Sequence, residues 1–307
     1  MATSEFKAYL EKHRTKFVDL IDSQEKELAR LYIQTAAEIK ERAELIINKD
    51  GLSYAQAKIR INSLLREASR LSNNFEGVLN RSLIEASNLG MEINKISMSA
   101  YQESLKKEGV NVNFTRILSK VNPEAVAYTF NKIWNDGLKL SNRIWLQDIR
   151  TKQEIERIIM QNVISGGSAS DKVTLSALEN LLNPEYTPAK LTSLHGRRVG
   201  YEASRLLRTE MSVAFNEADR LSSEKNPGST GEKWLIAIGA CEQCEPLNGE
   251  PVSQVGYPPL HPNCRCATLN DVMSIEDFTN RYLAFMDNPA SDKALGNWIL
   301  EVYKKAA

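Results

Sequence analysis

The first 240 residues contain no cysteine, and all four cysteines of the chain, Cys241, Cys244, Cys264 and Cys266, lie within the next 26. A disulfide framework is therefore excluded for most of the chain. Clustered thiols in a reducing compartment point to a metal. Histidine is also scarce: His13, His195 and His261 are the complete set. No run of eighteen apolar residues occurs, which excludes a transmembrane helix. The opening Met1-Ala2-Thr3-Ser4-Glu5-Phe6 has neither a basic stretch nor an apolar one, so no secretory leader is expected, and the simplest reading is a soluble protein made in a cytosol. There is no excess of charge of either sign, since 39 basic residues balance 39 acidic ones, so bulk charge favours neither nucleic acid nor an anionic surface. No Walker pattern appears, and Gly166-Gly167-Ser168 is too short to cradle a phosphate. Internal repeats and low-complexity tracts are also absent.

What is present is mostly helical patterning. From Glu5 to Asn48, Phe6, Leu10, Phe17, Leu20, Leu28 and Leu31 recur at steps compatible with a 3.6-residue period. Asn48-Lys49-Asp50-Gly51 reads as a stop, and Ser53 with Gln56 reads as a capping box. The next stripe is Ile61, Leu64, Ala68, Leu71, Phe75 and Val78, with Leu79 shifting the phase toward Leu83, Ala86, Leu89, Ile93 and Ile96. A helix to Glu108 would be a rod of about 80 Å, bent at Gly77 or Gly90, with the first helix packing back antiparallel. Val110 to Phe114 alternates like a short strand. Helices are predicted from Pro123, from Leu138 to Ile164, from Val173 to Leu182 behind Asp171, and from Pro188 to Lys225. Asn226-Pro227-Gly228-Ser229 ends the last of these. Trp234 to Ile238 reads as a strand, Asn248-Gly249 as a tight hairpin turn, and Ser274 to Ala307 as helix again.

The expected class is mainly α: long antiparallel helices, then a small α+β cysteine-rich module expected to hold zinc, then a C-terminal helix. The expected organisation is an elongated helical region over 1–190, a module over 191–272 and a helical tail over 273–307.

The module reads Cys241-x2-Cys244, sixteen residues, then His261-x2-Cys264-x-Cys266. A Cys-x2-Cys turn presents two thiolates to one ion, and a second pair from a distant loop completes a tetrahedron. Zinc suits such sulfur and imidazole donors. Five candidates compete for four places. Cys241, Cys244, His261 and Cys264 form one ligand set, with Cys266 a buried neighbour. Cys266 is the alternative ligand, because in an extended segment it shares a face with Cys264. A metal-free, reduced or disulfide-linked knuckle is the competing state. Four protein ligands leave no place for a catalytic water, so the zinc would be structural and would stabilise a segment with little core of its own.

The run Pro258-Pro259-Leu260-His261-Pro262-Asn263-Cys264-Arg265-Cys266 resembles the signature of the Mu F-like head morphogenesis family, minor capsid proteins of tailed bacteriophages. Arg208-Thr209-Glu210 and Ala214-Phe215-Asn216 look like the helix that precedes it, and Trp234 looks like the strand before the knuckle. Cys241-x2-Cys244 and Leu247-x-Gly249 follow in the expected order. The resemblance covers about Gly200 to Leu269. It implies a non-enzymatic virion protein, assembled in the bacterial host cytoplasm and placed inside the capsid near the portal. The portal oligomer is the implied partner, with scaffold, major capsid protein and double-stranded DNA as further contacts. The implied roles lie in DNA packaging, retention or ejection.

Two other readings compete. His261, Asn263 and the paired cysteines superficially suggest a metal-dependent nuclease, which would need a histidine base and separate ligands for its catalytic metal. A nonspecific DNA binder would show salt-dependent affinity. Arg198, Arg205 and Arg208, spaced by seven and three, lie near one helix face and are the candidate partner or DNA contacts. The plainer account of them is a solvated face balanced by Glu202, Glu210 and Glu217. Arg208 and Glu210 are otherwise expected to act as an ion pair holding the helix to the module. His13 and His195 are expected to be surface or packed residues.

Overall fold

The architecture was read from a computed structural model, which describes residues 3–47, 54–164, 171–182, 199–237 and 240–304. The chain forms two compact units, each assembled from separated stretches. One comprises Met1–Ile21, Leu83–Asn131 and Thr209–Ala307; the other comprises Asp22–Ser82 and Lys132–Arg208.

The second unit is built on α1 (Thr3–Ile47) and α2 (Tyr54–Gly90), which run on into the first unit. The buried positions of α2, Ala57, Ile61, Leu64, Ala68, Leu71, Phe75 and Val78, are separated alternately by four and three residues. That is the 3.5-residue repeat of a helix seam. Cross-links show the two helices antiparallel. The Ser82 hydroxyl donates to Gln24 at 2.9 Å, Arg81 pairs with Glu27, Arg42 pairs with Glu67, and Arg60 donates to the Leu45 carbonyl. The seam of α1 is Ile21, Leu28, Tyr32 and Ile39, whereas Leu20 and Leu31 lie at its flanks, only part-buried. The sequence pattern placed those two leucines on the stripe. The 3.5-residue seam puts the neighbouring Ile21 and Tyr32 there instead. Helices α5 (Leu140–Ile164) and α6 (Asp171–Leu182) pack together, and Gln147 on α5 donates to the Val199 carbonyl at 2.7 Å. The predicted stops at 48–51 and 166–168, and residues 188–198 of the predicted long helix, lie outside the described residues.

In the first unit the expected 55-residue helix is interrupted. Helix α2 ends at Gly90, Met91 is a turn, and α3 runs over Glu92–Lys107. Gly90, one of the two positions where a bend is expected, also admits a close approach: a Cβ there would lie 2.1 Å from the Phe215 carbonyl oxygen of α7 (Val199–Glu224). The Phe215 ring in turn stacks on Phe17, centroids 4.0 Å apart. His13 is buried rather than exposed. Its Nδ1 lies 3.1 Å from Glu92, and burial lowers its pKa.

The alternating Val110 to Phe114 does not form a strand. The Asn113 side chain accepts from the Arg116 amide and starts a 3-10 turn over Phe114–Lys120, while Val110 and Val112 pack against the core. That core joins α3 to the C-terminal helices. Tyr101 stacks on Phe278 at 4.0 Å, and Phe114 sits edge-on to Phe278 and Trp298. Phe278 belongs to α9 (Ile275–Asp287), capped by the Ser274 hydroxyl. Strands β1 (Ser229–Leu235) and β2 (Ala267–Val272) pair antiparallel, from Ser229↔Val272 to Leu235↔Ala267. The strand expected at 234–238 thus lies further upstream. Its partner ends at Ala267, and beyond Leu235 the chain enters the knuckle.

Behind the sheet lies a buried polar network. Asn94 on α3 donates to Asp219 at 3.2 Å and to Ser222 at 2.9 Å, and accepts from Asn226 and Asn270. That satisfies all four positions of the side-chain amide. Asp219 also accepts from the Thr268 hydroxyl. Burial, with Glu232 adding repulsion, raises the Asp219 pKa well above the carboxylate range. The folded state therefore prefers the protonated acid. Its stabilising contribution is complete below the unfolded pKa of about 3.9 and is lost as pH rises toward the folded value. Asp219→Asn keeps an acceptor for Asn94 and removes the titration. Its urea midpoint is expected to gain on wild type progressively from pH 4 to pH 7. A difference that stays constant with pH would contradict this.

Candidate metal centre

The knuckle opens where β1 ends. The Cys244 and Glu245 amides both donate to the Cys241 carbonyl, at 2.9 and 3.0 Å, closing a turn that sets the two thiols side by side. A 3-10 turn over Glu245–Leu247 follows, and Asn248-Gly249 brings the chain back beside the strand. The Gly249 amide donates to the Trp234 carbonyl and the Trp234 amide to the Glu250 carbonyl, both at 2.8 Å. Gly249 has φ +85°, the left-handed conformation that favours glycine at this turn. The second half opens with another turn, in which the Cys264 amide donates to the His261 carbonyl at 3.2 Å. Cys264, Cys266 and Cys244 are buried together with Trp234, and Ile236, Ala240, Leu247 and Val255 line the cluster. Cys264 and Cys266 thus enter one apolar pocket, as two residues apart in an extended segment must.

The five predicted donors converge as two overlapping triads. Cys241, Cys244 and His261 form one, and Cys244, Cys264 and Cys266 the other; within each, all donor atoms lie within 4.8 Å of one another. Cys244 is common to both. Its Sγ is 3.8 Å from that of Cys264. A tetrahedral zinc with Zn–S near 2.3 Å requires an S···S edge of about 3.8 Å. His261 Nε2 lies 3.0 Å from Cys241 Sγ and 3.3 Å from Cys244 Sγ, inside the S···N edge of about 3.6 Å; an ion would push the ring outward by roughly half an ångström. His261 Nδ1 is 2.9 Å from the Pro262 carbonyl, which can only accept. Nδ1 therefore carries the proton, and Nε2 presents its lone pair to the thiols, the tautomer a metal ligand needs.

The thiols also limit one another's ionisation. Burial pushes Cys244 up to about 12, and the hydrogen bond to Cys266, with burial, pushes Cys264 further. The Cys264 thiol, the Ala237 amide and the Trp234 indole bring Cys266 down to about 6, against its burial. A hydrogen bond from the Cys244 amide lowers the exposed Cys241. Cys244 and Cys264 thus resist ionisation while Cys241 and Cys266 favour it, and a coordinating divalent ion deprotonates its thiols outright. The residues therefore fit a metal ion in geometry, tautomer and charge.

Among the described residues, the other predicted ones are not part of this cluster. Arg208 pairs with Glu25 of α1, Arg205 is exposed, and Arg198 and His195 lie outside the described residues. Arg220, which the sequence reading passed over, grips Glu217 through two nitrogens and also reaches Glu224. A nuclease would need the His261 imidazole as its base, but Nε2 faces Cys241 and Cys244. No helix among the described residues is long and apolar enough to cross a membrane. No family model, curated protein or solved structure matches the chain.

Proposed function

We propose that this chain is a minor head protein of a tailed bacteriophage, of the Mu F-like type, and that it carries a structural zinc held by Cys241, Cys244, His261 and Cys264. The observation that carries the reading is the convergence of five widely spaced donors at the run that resembles the family signature. Cys241, Cys244 and His261 form one triad, and Cys264 is linked to it through Cys244, whose Sγ lies 3.8 Å from its own. Cys266 stands behind them as the alternative. A zinc closed by four protein ligands holds a fold and performs no turnover, which suits a structural component of the virion.

On this reading the protein joins the portal oligomer in the procapsid, in the capsid interior, and serves DNA packaging, retention or ejection. Scaffold, major capsid protein and double-stranded DNA are its further contacts. Of the two described arginines of the stripe, Arg205 is exposed and Arg208 pairs with Glu25.

The test is co-expression with the portal protein of the same phage, followed by gradient sedimentation. Migration with the portal ring is expected. Migration as a free species would contradict the portal partnership.

A further inference from the structure

The ligand-bearing segment 263–266 lies just upstream of β2, where the β1 pairing has ended, since Leu235↔Ala267 is the last pair. Its backbone groups are met instead by side chains from one stripe of α7. The Asn263 amide donates to the Thr209 hydroxyl at 3.1 Å, and the Ser212 hydroxyl donates to the Cys264 carbonyl at 2.7 Å. The Asn216 amide nitrogen donates to the Cys266 carbonyl at 3.2 Å, while its oxygen accepts from the Thr268 amide at 2.8 Å. Asn216 thereby pairs with the chain as a neighbouring strand would.

The spacing explains why a helix can do this. Residues 209, 212, 216 and 219 recur at steps of three and four and so share one face. The bonds from Asn263 to Thr268 follow that face in order, Thr209 first and Asn216 last, with Asn263 itself in a left-handed turn at φ +69°. The two run in step. Ser212 and Asn216 are both buried, and the second Asn216 amide hydrogen is committed to the Ser212 carbonyl at 2.7 Å. Asn216 therefore has no freedom to turn away.

From this arrangement we infer that Ser212 and Asn216 are positioning residues for the metal centre: by holding the Cys264 and Cys266 carbonyls from behind, they fix the path of segment 264–266 and with it the direction in which the Cys264 thiol faces the ion. This rests on the metal reading above. Groups that orient metal ligands without touching the ion typically contribute 10–100-fold in affinity.

The test is zinc affinity of the full chain, titrated against a chromophoric chelator, together with the d–d spectrum of the Co2+ form. Ser212→Ala and Asn216→Ala are each expected to weaken zinc by about 10–100-fold and to shift the Co2+ bands. Ser212→Thr keeps the hydroxyl and is expected to restore both. Thr279→Ala is the control for general destabilisation, because Thr279 is buried in the same unit but bonds to Ser104 and Ile275. Wild-type affinity and an unshifted spectrum in both alanine variants would overturn the inference, as would an equal loss in Thr279→Ala. A wild-type chain that takes up neither zinc nor Co2+ would instead overturn the metal reading itself, and that arm is read first.

Discussion

Cys244→Ser is expected to abolish metal binding and to open the chain from Trp234 to Leu269, while the helices keep their far-ultraviolet circular dichroism. Cys244 is the donor shared by both triads, and its Sγ stands one tetrahedral edge from Cys264. The fully buried apolar cluster at the knuckle comprises Trp234, Cys244, Cys264 and Cys266, three of them candidate ligands. Little core therefore remains to hold the segment once the ion leaves. Structural zinc contributes on the order of 10–16 kcal/mol in small zinc-dependent folds, far more than one buried side chain. Limited proteolysis checks the expectation, with new cleavage confined to 234–269. A variant that keeps its metal and its resistance to protease would remove Cys244 from the ligand set. Cys266→Ser, by contrast, is expected to retain the ion, because Cys241, Cys244, His261 and Cys264 complete the proposed set without it.

Gly90→Ala is expected to destabilise the first unit by about 3 kcal/mol or more, the upper end of what overpacking costs. The added methyl would sit 2.1 Å from the Phe215 carbonyl oxygen and 2.9 Å from its carbon. Those are backbone atoms of a helix, so no side-chain rotation relieves the clash. Helix α7 would have to move away, separating Phe215 from Phe17. Helix propensity alone predicts the opposite sign, since alanine is better than glycine by about 1 kcal/mol in a helix interior. Gly77→Ala supplies that contrast. Its nearest neighbour would be the flexible end of Arg81 at 3.7 Å, and a modest gain in stability is expected. Urea denaturation of both variants checks the pair. Similar gains in both would show that α2 and α7 do not meet at Gly90.

The parts of this molecule legible in the sequence are those with a short repeat or a fixed spacing. The α2 seam was readable because alternate steps of four and three between Ile61 and Val78 belong to one helix face. The metal cluster was readable because two knuckle turns, each four residues long, needed only to be brought together. Leu20 and Leu31 fall off the seam because the expected stripe passes over their neighbours Ile21 and Tyr32, which lie on it. Val110 to Phe114 alternates correctly for a strand, yet the Asn113 cap offers its backbone a local turn instead.

The polar network was not legible, because Asn94 and Asn270 lie 176 residues apart and each looks like an ordinary solvent-facing asparagine. One signal was available. Thr209, Ser212 and Asn216 recur on a single stripe of α7. Residues 209–219 are buried throughout, so that stripe meets polar partners rather than solvent.

The most direct test of the central claim is the zinc content of the full chain purified without chelator. The account predicts about one zinc ion per chain, lost in Cys244→Ser and kept in Cys266→Ser. A wild-type protein that contains no zinc, and that shows no thiolate-to-metal absorption when Co2+ is added under reducing conditions, would contradict it.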